Sequence, residues 1–245
     1  LWPGLLTALQ HNRKRQVSRL RLFEHGLRFW LQDNEIKQDY VIGGVLAGER
    51  NPEHWGGKPE AADFYDIRSH VEMILSLSGQ VEDCRFAPGS HPALHPGQAA
   101  VITVNGRDVG WLGRIHPALA GKHDLEPDTF LFELEYDALK NAEVIRFQEI
   151  SRYPSIRRDL AMVVDSELPA SELETAVTGL AGELLRDMVI FDVYQGKGIE
   201  TGRKSIAFGL ILQDSSRTLT DDDVEAVVTR VTDGLGEKFG AQLRE

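Results

Sequence analysis

The chain has 245 residues, 42% of them hydrophobic and 27% charged, so it is globular and long enough for one large domain or two ordinary ones. A net charge of −11 argues against a protein that coats nucleic acid, which would be basic, though a specific RNA contact through a local basic patch stays open. The single cysteine, Cys84, excludes an intrachain disulfide and suits a reducing cytoplasm, and no apolar run is long enough to span a bilayer.

The opening Leu1-Trp2-Pro3-Gly4 has no initiator Met, no basic n-region and no small-residue cleavage site. It reads as part of a longer protein and not as a targeting signal. Leu5, Leu6 and Leu9 are spaced for a helix over Pro3–Asn12, closed by the basic Arg13-Lys14-Arg15. Leu20 to Leu31 is a strand pair or one long strand, and Tyr40–Ala47 is a near-continuous apolar run expected to be a buried strand. After a loop from Asn51 to Pro59, Phe64–Leu77 places Ile67, Val71, Ile74 and Leu75 on one side of a helix, with Asp63 as its cap. Arg85 to Pro127 is rich in short strands. Ala99–Val104 and Val109–Ile115 flank an Asn105-Gly106 turn, where both residues tolerate positive φ. His116-Pro117 opens a short helix, and Phe130–Tyr136 is a strand with one polar side. The first part is therefore α+β, a mainly antiparallel sheet with helices packed on it.

Ala142–Tyr153 bridges to a second domain. There the order is strand (Asp159–Val164), helix (Pro169–Leu185), two strands, helix (Thr220–Phe239, capped by Thr220) and a short strand (Ala241–Arg244). This β-α-β-β-α-β order is that of the ferredoxin-like split βαβ unit. Its basic residues (Arg152, Arg157, Arg158, Lys197, Arg203, Lys204, Arg217) gather at loops and strand ends, which would leave one end or face of the sheet locally positive.

The centre of this domain is a hairpin. Met188–Tyr194 and Lys204–Leu212 flank the Gly-rich, charged segment Gln195–Arg203. Strict alternation puts Phe191 and Val193 on the core face with Ile206, Phe208 and Leu210. Asp192 and Tyr194 then share the other face with Ser205, Ala207 and Gly209. That face, small and polar with one ring, is either an ordinary solvated surface or a platform for a flat ligand such as a nucleobase.

Other clusters are weak. His91, His95 and His116 each precede proline, which favours loop geometry over convergent metal ligands. Cys84 is expected to be a buried structural thiol. Gly43–Arg50 lacks a Walker-type lysine and a following helix, so it is not expected to hold phosphate. Asp63, Asp66 and Glu72 suit a helix cap and its wet side.

Several stretches together are recognisable. Tyr153–Ala161, Phe191–Gly196, Lys204–Phe208 and Arg217–Asp221 resemble the ferredoxin-fold anticodon-binding domain of the bacterial phenylalanyl-tRNA synthetase β-subunit family. Pro3–Leu6, Leu22–Gly26, Phe64–Arg68, His95–Gly97 and Gly110–Pro117 look like the catalytic-like module of the same family. The resemblance covers essentially the whole chain, and implies domains at 1–145 and 151–245.

The resemblance implies an (αβ)2 tetramer, with an α subunit that joins phenylalanine to its tRNA using ATP and magnesium. The β module would have the class II synthetase fold without the chemistry, and no cofactor would bind this part of the chain. Leu22-Phe23 precede Glu24 where an active core has an ATP arginine, and Arg50 runs into Asn51-Pro52 instead of a helix. The editing domain and β-subunit magnesium site would lie outside this sequence. In such anticodon domains the open sheet face meets the anticodon. Asp192 and Ser205 would read base edges, with Tyr194 beside them. Arg244 would stack or contact phosphate, and Arg157, Arg158 and Lys204 would meet the backbone. For Arg157 and Arg158 a surface pair bridged to nearby acids stays open. Two other readings are a ferredoxin-like regulator binding a small metabolite and a class II-like transferase using Glu24 and Arg50, against which the missing ATP arginine argues.

Overall fold

A computed structural model describes residues 1–79, 84–140 and 151–244. The chain divides into two compact units, 1–146 and 147–245.

The first unit opens with helix α1 (Trp2–Arg13), whose buried Leu5, Leu6 and Leu9 form its inner face. Strands β1 (Leu20–Gln32) and β2 (Glu35–Ala47) then run as one long hairpin, paired without a break from Leu20↔Ala47 to Gln32↔Glu35. Their two-residue turn is Asp33-Asn34, both at positive φ (51° and 64°), the geometry such tight hairpins require. Helix α2 (Phe64–Ser76) is capped as its sequence suggests: Asp63 accepts from the amides of Tyr65 and Asp66, and Asp66 accepts in return from the Asp63 amide. Strands β3 (Cys84–Pro88), β4 (Leu94–Val104) and β5 (Arg107–Ile115), helix α3 (Pro117–Lys122) and strand β6 (Thr129–Glu135) follow. Asn105 and Gly106 form the β4–β5 turn at φ 51° and 74°. The antiparallel sheet has the order β1-β2-β6-β5-β4-β3. Alternation along β2, β5 and β6 feeds two cores, one with α1 around Val45, Ile115 and Leu131, the other with α2 around Leu46, Leu112, Phe132 and Leu134. Both faces of β6 are therefore covered along Thr129–Phe132, more than its expected single polar side.

The second unit contains β7 (Ile156–Asp165), α4 (Ala170–Ala181), β8 (Leu185–Tyr194), β9 (Arg203–Leu212), α5 (Asp221–Phe239) and β10 (Gln242–Leu243). The order in the antiparallel sheet is β10-β7-β9-β8, and both helices pack on one face. Helix α4 ends four residues earlier than its apolar pattern suggested. Gly182, at φ 69°, turns the chain and lets Leu185 begin β8. Helix α5 starts where expected, with Thr220 and Asp223 forming a reciprocal cap. The core joins Met162, Val164, Ile206, Phe208 and Leu210 of the sheet to Leu173, Val177, Val227, Val231 and Leu235 of the helices. Most of the bridge expected at 142–153 lies outside the described residues.

Candidate nucleic-acid interface

The helix-free face of the second sheet is built from alternate residues. Arg157, Asp159, Ala161 and Val163 come from β7 and Ser205, Ala207, Gly209 and Ile211 from β9, each pair in register. Asp192 and Tyr194 of β8 lie opposite Ala207 and Ser205. The middle strand thus offers a floor of small side chains, over which the longer ones from the flanking strands can arch.

One expectation fails here. Strand β8 carries a bulge between Ile190 and Asp192, so Phe191 is an extra residue without a partner. A bulge re-aims a side chain. Phe191 consequently leaves the core face and stands 51% exposed on the open face, where the Arg157 guanidinium carbon lies 5.4 Å from its ring centroid. Val193 is 56% exposed and also contributes nothing to the core. Ile190 and Met188 pack in their place. Gly209 makes the Arg157 crossing possible: a Cβ there would come within 2.8 Å of both Arg157 Nε and Asp159 Oδ1.

A second arginine–aromatic pair lies on the same face. Arg244 follows β10, its amide donating to the Ala161 carbonyl at 2.8 Å, and its guanidinium carbon sits 5.0 Å from the Tyr194 ring centroid. Both pairs fall within cation–π range. Tyr194 Oη donates to the Lys197 carbonyl at 3.2 Å, fixing the ring against the β8–β9 loop. Asp192 is exposed, and among the described residues its carboxylate makes no hydrogen bond or ion pair.

The other predicted site residues are placed differently. Ser205 belongs to the open face but is 2% exposed, at the strand position facing Tyr194. Arg158 points to the helix side and reaches Asp221 at the start of α5, 3.6 Å away. Lys204 also leaves the open face. Its Nζ donates to the carbonyls of Ser166 and Leu168 at 2.8 and 2.7 Å, securing the β7–α4 loop. Arg157 keeps an ion pair with Asp159 at 2.7 Å. The basic residues expected to leave one face positive are mostly engaged: Arg217 pairs with Asp223 and Asp214, and Arg203 donates to the Val163 and Gly240 carbonyls. The face offers rings, a free carboxylate and two stacked guanidinium groups in place of a broad basic patch. Phe191 is the residue of this face that alternation misplaces.

In the first unit the candidate catalytic Arg50 is already engaged. Arg50 is enclosed by carboxylates, with Asp66 at 3.0 Å, Asp63 at 2.8 Å and Glu60 at 2.8 Å. Arg21 donates to the carbonyls of Ala47 and Glu49, and burial pushes its pKa down. The His-Pro residues have a common local role. His91, His95 and His116 each accept, through Nδ1, from the amide two residues on. Among the described residues no group of three or more His, Cys, Asp or Glu side chains is placed to hold a metal ion. Cys84 is buried in the α2-side core, and desolvation raises its thiol pKa to about 11. The α2 side of the β1–β2 hairpin exposes Phe23, Leu27, Phe29, Leu31 and Ile36, next to an apolar groove of about 520 Å³ lined by Ile74, Leu77 and Phe132. No helix among the described residues is long and apolar enough to cross a membrane.

Comparison with known proteins accounts for both sheets. Residues 1–136 match the family model described as phenylalanyl tRNA synthetase beta chain CLM domain, and residues 151–244 match the ferredoxin-fold anticodon binding domain. The chain is 46% identical over its 245 residues to the phenylalanine–tRNA ligase beta subunits of Pseudomonas savastanoi pv. phaseolicola and Methylococcus capsulatus. It is 44% identical to that of Pasteurella multocida over an alignment of 249 residues. All of this chain is covered in each case, but it spans only 31% of the length of these relatives. The metabolite-regulator reading finds no support in these matches. The two sheets, in this order and with these matches, place the chain in the phenylalanyl-tRNA synthetase beta chain family.

Proposed function

We propose that this chain is the catalytic-like and anticodon-reading part of a phenylalanine–tRNA ligase β subunit. Residues 1–145 would be a class II synthetase-like module without chemistry, and residues 151–245 would bind the anticodon of the phenylalanine tRNA. The observation that carries the reading is the open sheet face, where the exposed Asp192 carboxylate stands beside the Tyr194–Arg244 pair over a floor of small side chains. A carboxylate accepts from the donor edge of a base, an aromatic ring stacks on it, and arginine suits stacking or phosphate. Asp192, Tyr194, Arg244 and Arg157 are the contact residues. Ser205 would reach a base edge only once the Tyr194 ring moves aside. Arg158 and Lys204 would touch the RNA backbone only from the rim.

The residues of the first unit do not fit ATP. Leu22-Phe23 stand where a class II core has its arginine, and Arg50 is saturated by three carboxylates. Activation of phenylalanine with ATP and magnesium therefore falls to the α subunit in an (αβ)2 assembly working in the cytoplasm. The exposed apolar side of the β1–β2 hairpin supports burial against such a partner.

The test is binding of the 245-residue chain, with and without the α subunit, to the phenylalanine tRNA and to an anticodon-exchanged tRNA across a salt series. Preference for the native anticodon, reduced about tenfold by Asp192→Ala, is the expected result. Equal, salt-steep binding to both tRNAs would reduce the face to a phosphate contact and overturn the reading.

A further inference from the structure

We infer that Phe191, beneath the Arg157 guanidinium, is a second base-stacking position on the open sheet face, for a nucleotide neighbouring the one held at Tyr194 and Arg244. The inference rests on the anticodon reading above and extends it from one stacking position to two.

The bulge is the first support. Without it, alternation counted back from Asp192 and Tyr194 would put Phe191 on the core face, where an aromatic ring is stabilised by burial. Instead the chain leaves a residue of β8 unpaired and exposes the ring on the face that holds Asp192 and Tyr194. Spacing is the second. Phe191 and Tyr194 are three positions apart on one strand, at most about 10 Å at about 3.3 Å per residue because the bulge shortens the path, so their rings offer two separate surfaces and not a single enlarged one. The floor is the third. Gly209 and Ala207 lie beneath, and the absence of a Cβ at Gly209 keeps Arg157 low against the sheet. A guanidinium plane and an aromatic ring are both surfaces on which unstacked RNA bases settle. Among the described residues Arg157 has one tether on this face, the half-exposed Asp159, so the guanidinium can lift from the ring and let a base in.

The competing account is a structural clasp, with Arg157 and Phe191 tying β7 to the edge strand β8 across β9. A clasp registers in stability, whereas a stacking position registers in the KM for tRNA.

The experiment uses the assembled two-subunit enzyme with the full-length β subunit. Phe191→Ala, Phe191→Trp, Tyr194→Ala and Asp192→Ala are compared by aminoacylation kinetics, with tRNAs substituted singly at each anticodon position, and by thermal melting. The expected result for Phe191→Ala is a KM for tRNA raised roughly tenfold, the scale of one lost base–aromatic stack, with kcat and melting temperature held. Phe191→Trp should stay near wild type. The lost discrimination should fall at a different anticodon position from that of Tyr194→Ala. A lowered melting temperature with unchanged KM, or loss at the same position as Tyr194→Ala, would overturn the inference. If Tyr194→Ala and Asp192→Ala raise KM but Phe191→Ala does not, only the second position falls. If none of them raises KM, the anticodon reading falls with it.

Discussion

The six-stranded sheet of residues 1–146 has a helix on each face, whereas the four-stranded sheet of residues 147–245 packs both of its helices on one face and leaves the other bare. Arginine is used differently in the two. In the first unit Arg50 is surrounded by Asp63, Asp66 and Glu60, and Arg28 is held by Glu133 and Asp39. In the second, Arg157 and Arg244 lie against aromatic rings on an open face. An arginine saturated by carboxylates has little left to offer an incoming anion. One resting on a ring keeps part of its donor fork available. On the proposed reading, the difference between a scaffold and a binding surface lies in what the arginines already touch, more than in how many there are.

The largest effect that would sharpen this contrast comes from the shared support of the bare face. Phe208 is fully buried beneath the floor residues, and Phe208→Ala should cost about 3–5 kcal/mol by denaturant unfolding. It should abolish anticodon-dependent binding along with the second unit's transition. If the first unit's transition fell equally, the two units would not be energetically separate. Next comes the helix that backs this sheet. Thr220→Ala removes the cap of α5 and should cost about 1 kcal/mol without changing tRNA preference.

A smaller effect sits at the same cap and depends on pH. The Arg217 hydrogen bond, followed by bonds from the Thr220 amide and hydroxyl, holds the Asp223 carboxyl far below the usual carboxylate range. Because the folded-state value is depressed, the stabilisation is complete above the unfolded-state value, about 3.9, and is lost as pH falls toward the folded one. The melting-temperature gap between wild type and Asp223→Asn should therefore be present at pH 7 and shrink below about pH 4. A gap that persisted in acid would mean that Asn disturbs the cap for another reason. Smallest of all for RNA binding is Arg50→Ala. It should lower the melting temperature of the first unit and leave tRNA binding unchanged, and altered binding would break the contrast between scaffold and surface.

Much of this was legible beforehand because it is local. The Asp63 and Thr220 caps, the Asn105-Gly106 turn and the leucine face of α1 follow from propensities and spacings within a few residues. The Asp33-Asn34 turn could have been found in the same way, since both residues tolerate positive φ. The β-α-β-β-α-β order followed from counting such elements. The partners of Arg158 and Lys204 and the place of Phe191 did not, because each depends on elements distant in sequence. Arg157 and Arg158 are adjacent in sequence, yet alternation sends them to opposite faces, where Asp159 and Asp221 await them. Lys204 turns to loop carbonyls that come near only after α4 has docked.

By itself, then, the sequence determined the two sheets, their helices and the identity of the open face, because periodicity and capping are encoded residue by residue. The tertiary structure decided what that face carries. One unpaired residue where β8 meets β9 shifts the alternation by a single step and moves Phe191 from the core to the surface. Strand register is a property of two segments together, so it could not be read from either one alone.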